Sequence, residues 1–262
     1  MAYIALRNVT KTYPNGFCAL KNINLDIAAG EFIAILGPSG AGKSTLLRAI
    51  NALDPASGGE ISIGSEVLTP RNRRQVRAHV GMVFQQFNLV DRLNVMTNVL
   101  IGRLAERGWL SSLFYLFPKS DFKIAEAALR EVDLLDKAWS RADKLSGGQQ
   151  QRVGIARALA QQPKLILADE PIASLDPKAS EDVLKLLRKI CTEKGITVVV
   201  NLHQVEYAKH YADRVIALNA GSVVFDSSPE HLSPSKLAAI YGTTSSPEIL
   251  HADELALAHA YR

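Results

Sequence analysis

Cysteine is scarce in this sequence, with Cys18 and Cys191 the two present among 262 residues. They are isolated, so we expect plain buried thiols in a reducing compartment and neither a disulfide scaffold nor a cysteine-based metal site. No run of 18 or more apolar residues occurs, and a membrane-spanning helix is therefore not predicted. The first residues, MAYIALRNVTKTY, lack a basic segment followed by an apolar core, so no signal peptide is expected.

A strong excess of one charge sign is also missing. The chain has 30 Lys and Arg against 26 Asp and Glu, a net charge of +4 and a pI of about 9.0. This mild excess suits a nucleic-acid partner or an anionic membrane surface, but it is too weak to choose between them. The composition is that of an ordinary globular protein, and the length allows one large domain or two small ones.

The sequence does contain a regular alternation of strand and helix patterns. FIAIL (32–36), LILAD (165–169) and ITVVV (196–200) are short apolar runs typical of buried strands. The segments YIALRNV and NINLDI predict two early strands joined by a turn at residues 14–16, GMVFQ predicts another strand, and RVIALNAGSVVF predicts a hairpin. Helical patterns separate these strands, so we expect a layered α/β core without internal repeats.

The middle of the chain, about residues 90–161, is mostly helical in pattern and predicts an insertion into that core. Within it, the apolar stretch GWLSSLFYLF (108–117) is too short to span a membrane. It is interpreted either as local packing or as a patch that docks on a membrane partner. The tail, 244–262, predicts a surface helix with Ser246 as its N-cap.

The strongest local signal is GPSGAGKST, which follows a predicted strand and precedes a predicted helix. It matches the pattern G-x-x-x-x-G-K-[ST] completely. Its glycines allow backbone angles that a side chain would block, so that successive N–H groups surround phosphate oxygens at the positive end of a helix. Lys43 is expected to reach the β and γ phosphates, and Ser44 to ligate Mg²⁺. The predicted nucleotide-binding residues are Gly37, Pro38, Ser39, Gly40, Ala41, Gly42, Lys43, Ser44 and Thr45.

Two acids end the buried strand pattern LILADE. We expect Asp169 and Glu170 at the sheet edge where ligands collect in α/β folds. Asp169 is predicted to contact the Mg²⁺ shell, and Glu170 to polarise an attacking water as a general base. A strand followed by an acidic helix cap would give the same residues, but the complete phosphate loop favours the catalytic interpretation.

A second anion-binding pattern is KLSGGQQQRV (144–153). Because a phosphate loop wraps its ligand from one side, charge on the exposed side still needs neutralising. A Ser-Gly-Gly turn at a helix N-terminus supplies a hydroxyl and N–H donors for this purpose. The spacing does not decide whether this turn serves a nucleotide on its own chain or on another copy.

In order, GPSGAGKST, LSGGQQQR, LILADEP, SLD and a histidine after an apolar strand resemble the ATP-binding subunit of an ABC transporter, over about residues 1–242. The resemblance implies a P-loop NTPase core with a mixed sheet, an N-terminal antiparallel β subdomain and a helical subdomain inserted at about 88–161, in a domain of residues 1–243. It also implies a head-to-tail dimer, in which the signature residues of one copy contact the γ-phosphate of ATP on the other. Those residues are Ser146, Gly147, Gly148 and Gln149.

The same resemblance implies further roles. Tyr13 occupies the position of the ring that stacks on adenine. Gln85, followed directly by Gln86, occupies that of the glutamine that senses the γ-phosphate and Mg²⁺. Asp176 matches the loop that couples the two sites, and His203 matches the histidine that contacts the γ-phosphate. Active hydrolysis of ATP is expected, with catalytic Glu170, His203 and Gln85, and with Mg²⁺ held by Ser44, Gln85 and Asp169.

A finer resemblance is to the ATP-binding subunits of phosphonate importers. FQQFNLVDRLNVMTNVLIGRL, FPKSD and NLHQVEYA match them, and Ile172 stands where many relatives have threonine. Phosphite and hypophosphite remain equally compatible cargoes. The implied partners are a second copy, two transmembrane permease subunits and a periplasmic or lipid-anchored solute-binding protein, at the cytoplasmic face of the inner membrane. No nucleic acid is expected.

Several alternative functions stay open. An importer subunit for another polar solute, such as an amino acid, would lack the insertion around 103–122. An accessory ATPase of phosphonate metabolism would not bind a permease. ABC ATPases that act on DNA or ribosomes usually carry a long coiled-coil insertion or two tandem cassettes. A nucleotide-binding module without turnover would release no phosphate.

Overall fold

The computed structural model of the chain describes residues 2–106 and 117–242. Nearly all of the apolar stretch 108–117 and the whole tail 244–262 lie outside these ranges, so the interpretations given to them stay predictions. None of the described helices is both long and apolar enough to cross a membrane.

The described ranges contain ten strands and eight α-helices. The strands are β1 (Ala2–Thr12), β2 (Cys18–Ala28), β3 (Phe32–Leu36), β4 (Gly58–Ile63), β5 (Glu66–Val67), β6 (Val80–Val83), β7 (Leu165–Ala168), β8 (Thr197–Asn201), β9 (Arg214–Asn219) and β10 (Ser222–Ser227). The helices are α1 (Lys43–Ile50), α2 (Arg73–Ala78), α3 (Val95–Leu100), α4 (Lys119–Glu131), α5 (Gly147–Ala160), α6 (Pro177–Lys194), α7 (Val205–Tyr211) and α8 (Pro234–Tyr241).

A six-stranded sheet forms the centre, in the order β10-β9-β3-β8-β7-β6. Its strands run parallel except β10, which pairs antiparallel with β9. Every residue of β3, β7 and β8 is buried, which explains why these strands read as continuous apolar runs. Because parallel strands end at one edge, the phosphate loop after β3 and the polar residues after β7 and β8 converge there.

The two faces of this sheet carry separate apolar cores. On one face, Ile33 and Val199 pack with α1 and the N-terminal strands. On the other face, Ala34 and Val200 pack with residues of α3 to α8. The helices that follow the two anion-binding patterns, α1 and α5, therefore lie against opposite faces of one sheet.

The N-terminal strands form a second sheet, antiparallel, in the order β2-β1-β4-β5. The predicted turn at residues 14–16 joins β1 to β2. Buried and exposed residues alternate along most of β2, as in a sheet with one face towards solvent. The mixed central sheet, this antiparallel sheet and the helices after residue 94 confirm the predicted fold class.

Two element boundaries differ from the sequence pattern. β6 ends at Val83, so Phe84 and Gln85 of GMVFQ lie in the following loop. The helix after the phosphate loop ends at Ile50 rather than continuing to Leu53, and residues 51–54 form a turn.

The two cysteines are free, as expected, but only one is buried. Burial raises the pKa of the Cys191 thiol to about 11. Cys18, at the start of β2, is partly exposed, so the prediction of a buried thiol is wrong for this residue.

A buried ion pair ties the helices after residue 94 together. Nε of Arg103, in a 3-10 helix, lies 3.2 Å from Oδ1 of Asp121 on α4. The same guanidinium donates to the carbonyl oxygen of Ala160, at the end of α5, at 2.9 Å. Both charged side chains are buried, and Oε2 of the more exposed Glu106 lies 4.0 Å from Nη2 of the same guanidinium.

We therefore expect Asp121→Ala to lower the free energy of unfolding by about 3–5 kcal/mol, because it removes the buried and nearer of the two carboxylates beside a buried guanidinium. Urea denaturation followed by circular dichroism measures the loss. The matched control is Glu131→Gln, on the same helix as Asp121. It breaks the partly exposed pair with Lys194 of α6 and should lower the free energy of unfolding much less. Equal losses in the two variants would contradict the structural role of the buried pair.

Candidate functional site

The phosphate loop connects β3 to α1, and two of its glycines are required by backbone geometry. Gly37 has a φ of +140°, and a Cβ there would lie 2.1 Å from the carbonyl oxygen of Leu218. Gly42, the N-cap of α1, has a φ of +103°, and its Cβ would lie 2.5 Å from the carbonyl oxygen of Ala19. Glycine at these positions lets the loop lie directly against the backbone of β9 and of β2 before it enters α1, whose N-terminus suits a phosphate.

Lys43 begins α1, and its ammonium is buried within the loop. Nζ donates to the carbonyl oxygens of Gly37 at 2.8 Å and Pro38 at 3.1 Å. Burial lowers the pKa of Lys43, while the charges of Glu170 and Asp169 act to raise it. The lysine, the loop and the two acids after β7 therefore share one electrostatic site.

Asp169 joins the phosphate-loop helix to two neighbouring strands. Its Oδ1 accepts one hydrogen bond from the hydroxyl of Ser44 and one from Nδ2 of Asn201, each at 2.7 Å. Its Oδ2 lies 3.7 Å from Nη2 of Arg48, one turn further along α1. Asp169 and Asn201 are both buried. One carboxylate thus fixes α1, β7 and β8 relative to one another at the predicted Mg²⁺ site.

Glu170 and His203 contact each other, with Nε2 of His203 2.7 Å from Oε1 of Glu170. The side chain of His203 is 45% exposed and that of Glu170 is 19% exposed, so solvent reaches the pair. Glu170 has a φ of +51°, in the left-handed region that residues with side chains seldom adopt. Backbone strain of this kind is concentrated at functional sites.

The residues around Asp169 fit a Mg²⁺ ion. Ser44 and Asp169 offer oxygen ligands, which Mg²⁺ prefers, and Oδ1 of Asn201 is buried beside them without a protein hydrogen-bond partner. In the two described ranges, no group of three or more His, Cys, Asp or Glu is arranged to hold a metal. Mg²⁺ in nucleotide sites takes one or two protein oxygens together with phosphates and water, and Ser44 and Asp169 can supply those oxygens.

Tyr13 and Gln85 lie at the margins of this cluster. Tyr13 directly follows β1, and its hydroxyl is 3.5 Å from Oγ1 of Thr45 on α1. Gln85 lies in the loop after β6, close to Val83, whose carbonyl oxygen accepts the N–H of Asp169 at 2.9 Å. Gln85 and Gln86 are both exposed, so burial does not distinguish them.

The signature residues begin α5. Oγ of Ser146 accepts from the N–H of Gln149 at 3.4 Å, and Oε1 of Gln149 accepts from the N–H of Ser146 at 3.1 Å, which is a capping box. A Cβ on Gly148 would lie 3.0 Å from Cβ of Ala179, near the start of α6. This glycine therefore allows close helix packing as well as leaving the helix terminus open.

The starts of α5 and α6 line a polar groove of about 470 Å³. Its walls include Ser146, Gly148, Gln149 and Asp176, and Asp176 caps α6 by accepting from the N–H of Ala179 at 2.9 Å. Among the described residues, none from the phosphate loop lines this groove. The structure brings the signature together with Asp176 but not with the nucleotide cluster of the same copy.

Side chains of α5 hold the loop that follows β6. Nε2 of Gln151 donates to the carbonyl oxygen of Phe84 at 3.4 Å, and Nη2 of Arg157 donates to that of Phe87 at 3.1 Å. Burial lowers the pKa of the Arg157 guanidinium. The segment around Gln85 is thus attached on both sides to the signature helix.

From the sequence, no role is predicted for Asn201, the first residue of NLHQVEYA, or for Arg157. The available signal for Asn201 was a lone polar residue at the end of the apolar strand TVVVN, in register with the strand that leads to Asp169. For Arg157 it was a charge inside the apolar pattern VGIARALA, which needs a partner once the helix is buried.

Asn201→Leu removes the amide that donates a hydrogen bond to Asp169, and it replaces the asparagine by a side chain of similar size. We expect nucleotide binding to require about tenfold more Mg²⁺, because a carboxylate ligand loses one of its orienting hydrogen bonds. Titration of Mg²⁺ against a fluorescent nucleotide measures the change. Asn51→Leu alters another buried asparagine, at the end of α1, and controls for a general loss of stability. The same shift in both variants would contradict a specific role for Asn201.

Comparisons with known proteins agree with this geometry. The sequence profile of the ABC transporter family matches residues 20–173, more than half of the chain. The phosphonates import ATP-binding protein PhnC of Thiobacillus denitrificans is 59% identical over 260 residues, which cover 99% of this chain and 100% of that protein. PhnC 2 of Trichodesmium erythraeum is 60% identical over 243 residues, which cover 92% and 94%.

Solved structures show the same fold. The dimeric structure of MJ0796, a bacterial ABC transporter cassette, matches with a TM-score of 0.75 at 41% identity, covering 86% of this chain and 98% of that one. The structure of cbiO1 from Clostridium perfringens, part of the ABC transporter complex cbiONQ, matches with a TM-score of 0.79 at 28% identity, covering 97% and 99%. From its motifs, its geometry and these relatives, the chain belongs to the ABC transporter family, as a PhnC-like ATP-binding protein.

Proposed function

We propose that this chain is the ATP-hydrolysing subunit of an ABC transporter that imports phosphonates. It works as a head-to-tail dimer, peripheral to the membrane at its cytoplasmic face, and drives two transmembrane permease subunits. A solute-binding protein delivers cargo to those subunits from the other side.

The observation that carries this proposal is the contact between the two acids and their partners at one sheet edge. Asp169 accepts a hydrogen bond from the hydroxyl of Ser44 at 2.7 Å, and Oε1 of Glu170 lies 2.7 Å from Nε2 of His203. Lys43 lies within the electrostatic reach of both acids. One cluster therefore offers a phosphate grip, metal ligands and a proton acceptor, which are the groups that phosphoryl transfer to water uses.

In the proposed reaction, Glu170 accepts a proton from water as the water oxygen bonds to the γ-phosphorus. The bond from that phosphorus to the β–γ bridging oxygen breaks, and ADP keeps the electron pair. Lys43 neutralises charge on the phosphate oxygens, and His203 contacts both Glu170 and the γ-phosphate. Ser44, Asp169 and Gln85 would hold Mg²⁺, which adds charge neutralisation at the phosphates when bound.

The second copy completes the site. Because α1 and α5 pack against opposite faces of the sheet, the capped end of α5 is suited to a nucleotide held by another copy. The exposed Ser146 and the N–H groups that begin α5 are the donors to that γ-phosphate. Hydrolysis and phosphate loss remove the charge that holds the two faces together, and the dimer opens. Asp176, in the same groove, couples the two sites.

The movement passes to the permease through the loop after β6. Gln151 and Arg157 hold the carbonyl oxygens of Phe84 and Phe87, so a shift of α5 displaces the segment around Gln85 with it. A rigid helix attached at two points transmits such a shift without unfolding the loop.

Phosphonate is the favoured cargo because the relatives at 59% and 60% identity are named for phosphonate import. The ATP-binding subunit does not itself contact cargo. Its part in specificity is therefore the choice of permease.

Glu170→Gln keeps the size of the side chain and removes the proton acceptor. We expect ATP hydrolysis to fall by at least about a hundredfold while ATP binding persists, and ATP to convert the variant from monomer to stable dimer. A phosphate-release assay and a light-scattering mass measurement test these outcomes. Lys43→Ala, which should lose binding itself, is the comparison variant. Normal turnover by Glu170→Gln would show that another group is the base.

The cargo is tested in the assembled transporter. In proteoliposomes that contain the permease and the solute-binding protein, an alkylphosphonate should stimulate ATP hydrolysis, and histidine or glutamine should not. Stimulation by phosphite or hypophosphite alone would reassign the cargo within phosphorus compounds. Stimulation by an amino acid alone would contradict phosphonate import.

A further inference from the structure

We infer that Lys11 and Asp54 are positioning residues that fix the ring of Tyr13 relative to the phosphate loop, and so set the affinity of the site for a purine nucleotide. The inference rests on the proposed nucleotide binding and adds two side chains to it that no motif includes.

Tyr13 is held by its hydroxyl rather than by apolar packing. It belongs to neither of the two apolar cores and is half-buried. Its hydroxyl donates to Oδ2 of Asp54 at 2.7 Å and lies 3.5 Å from Oγ1 of Thr45. A tyrosine that served only to fill the core would be surrounded by apolar side chains, so the ring orientation depends on this polar anchor.

Lys11 lies over one face of the ring. Its Nζ is 5.2 Å from the ring centroid of Tyr13, within the range of a cation–π contact. The same ammonium contacts Oδ1 of Asp54 and donates to the carbonyl oxygen of Pro55 at 2.7 Å. Lys11 is 9% exposed, so its charge is held in place rather than solvated. With one face covered, a base can stack only on the other.

Asp54 connects this ring to the phosphate grip. Its N–H donates to the carbonyl oxygen of Arg48 at 3.2 Å, in the turn that ends α1, the helix that Lys43 begins. Burial acts to raise the pKa of the Asp54 carboxyl, but hydrogen bonds from Lys11 and Tyr13 bring that pKa below its ordinary value. The carboxylate is therefore ionised at neutral pH, as an anchor for both donors must be.

A fixed spacing between a stacking ring and a phosphate loop favours ligands that span both. Holding the ring before binding reduces the side-chain entropy that association would otherwise lose. The two fused rings of adenine overlap a tyrosine ring more fully than the single ring of uracil does. Loss of the anchor should therefore weaken ATP binding more than UTP binding.

Isothermal titration calorimetry of the full chain with ATP and with UTP tests this inference. Asp54→Ala and Tyr13→Phe are each expected to weaken ATP binding about three- to tenfold and to leave UTP binding within about twofold. The double variant should be no weaker than Asp54→Ala alone, because that substitution already breaks the hydrogen bond that Tyr13→Phe removes. Asp54→Asn keeps one oxygen acceptor for the tyrosine hydroxyl but loses the charge that holds Lys11, so it should bind ATP more tightly than Asp54→Ala and more weakly than the unmodified chain.

The matched control is Asp26→Ala, which breaks the exposed pair with Arg7 on the same antiparallel sheet and should bind both nucleotides normally. Unchanged ATP binding in Tyr13→Phe, or equal weakening of ATP and UTP in both single variants, would overturn the inference. Tyr13→Ala separates two failures. If Tyr13→Ala binds ATP normally, the proposed adenine role of Tyr13 also fails. If Tyr13→Ala weakens ATP binding while Tyr13→Phe and Asp54→Ala do not, only the positioning role fails.

Discussion

Two helix N-termini suited to phosphate lie on opposite faces of one sheet, and the proposed chemistry depends on that separation. α1, with the phosphate loop, packs into the core shared with the antiparallel sheet, and α5, with the signature, packs into the core of the other helices. A triphosphate needs its charge neutralised from more than one direction. Since one copy surrounds it from one side, the proposed pairing of two copies would complete the site.

Within one copy, Asp169 joins the phosphate-loop helix to the central sheet. Its carboxylate ties Ser44 on α1 to Asn201 at the end of β8, so the phosphate loop and the central sheet respond together to whatever binds between them. Glu170 follows with a left-handed backbone and reaches His203. The N–H of Asp169 donates to the carbonyl oxygen of Val83, the last residue of β6, and Arg157 of α5 holds the loop that follows. The cluster and the signature helix therefore each contact one end of the segment around Gln85.

The parts of the protein that could be predicted from sequence are those specified locally. FIAIL is buried along its whole length and reads as a buried strand, and the glycines of GPSGAGKST reflect backbone angles that only glycine adopts readily. The partners of Asn201, Arg157 and Lys11 could not be predicted, because they lie 32, 70 and 43 positions away in the chain. Periodicity and caps carry no information about pairings over such separations, which only the packed fold determines.

The most direct test of the two-copy site is a structure of the chain with Mg²⁺ and a non-hydrolysable ATP analogue. We predict a head-to-tail dimer in which Oγ of Ser146 lies about 3 Å from a γ-phosphate oxygen of the nucleotide bound to the phosphate loop of the other copy. A dimer in which Ser146 is remote from both γ-phosphates, or in which it contacts the nucleotide of its own copy, would contradict it.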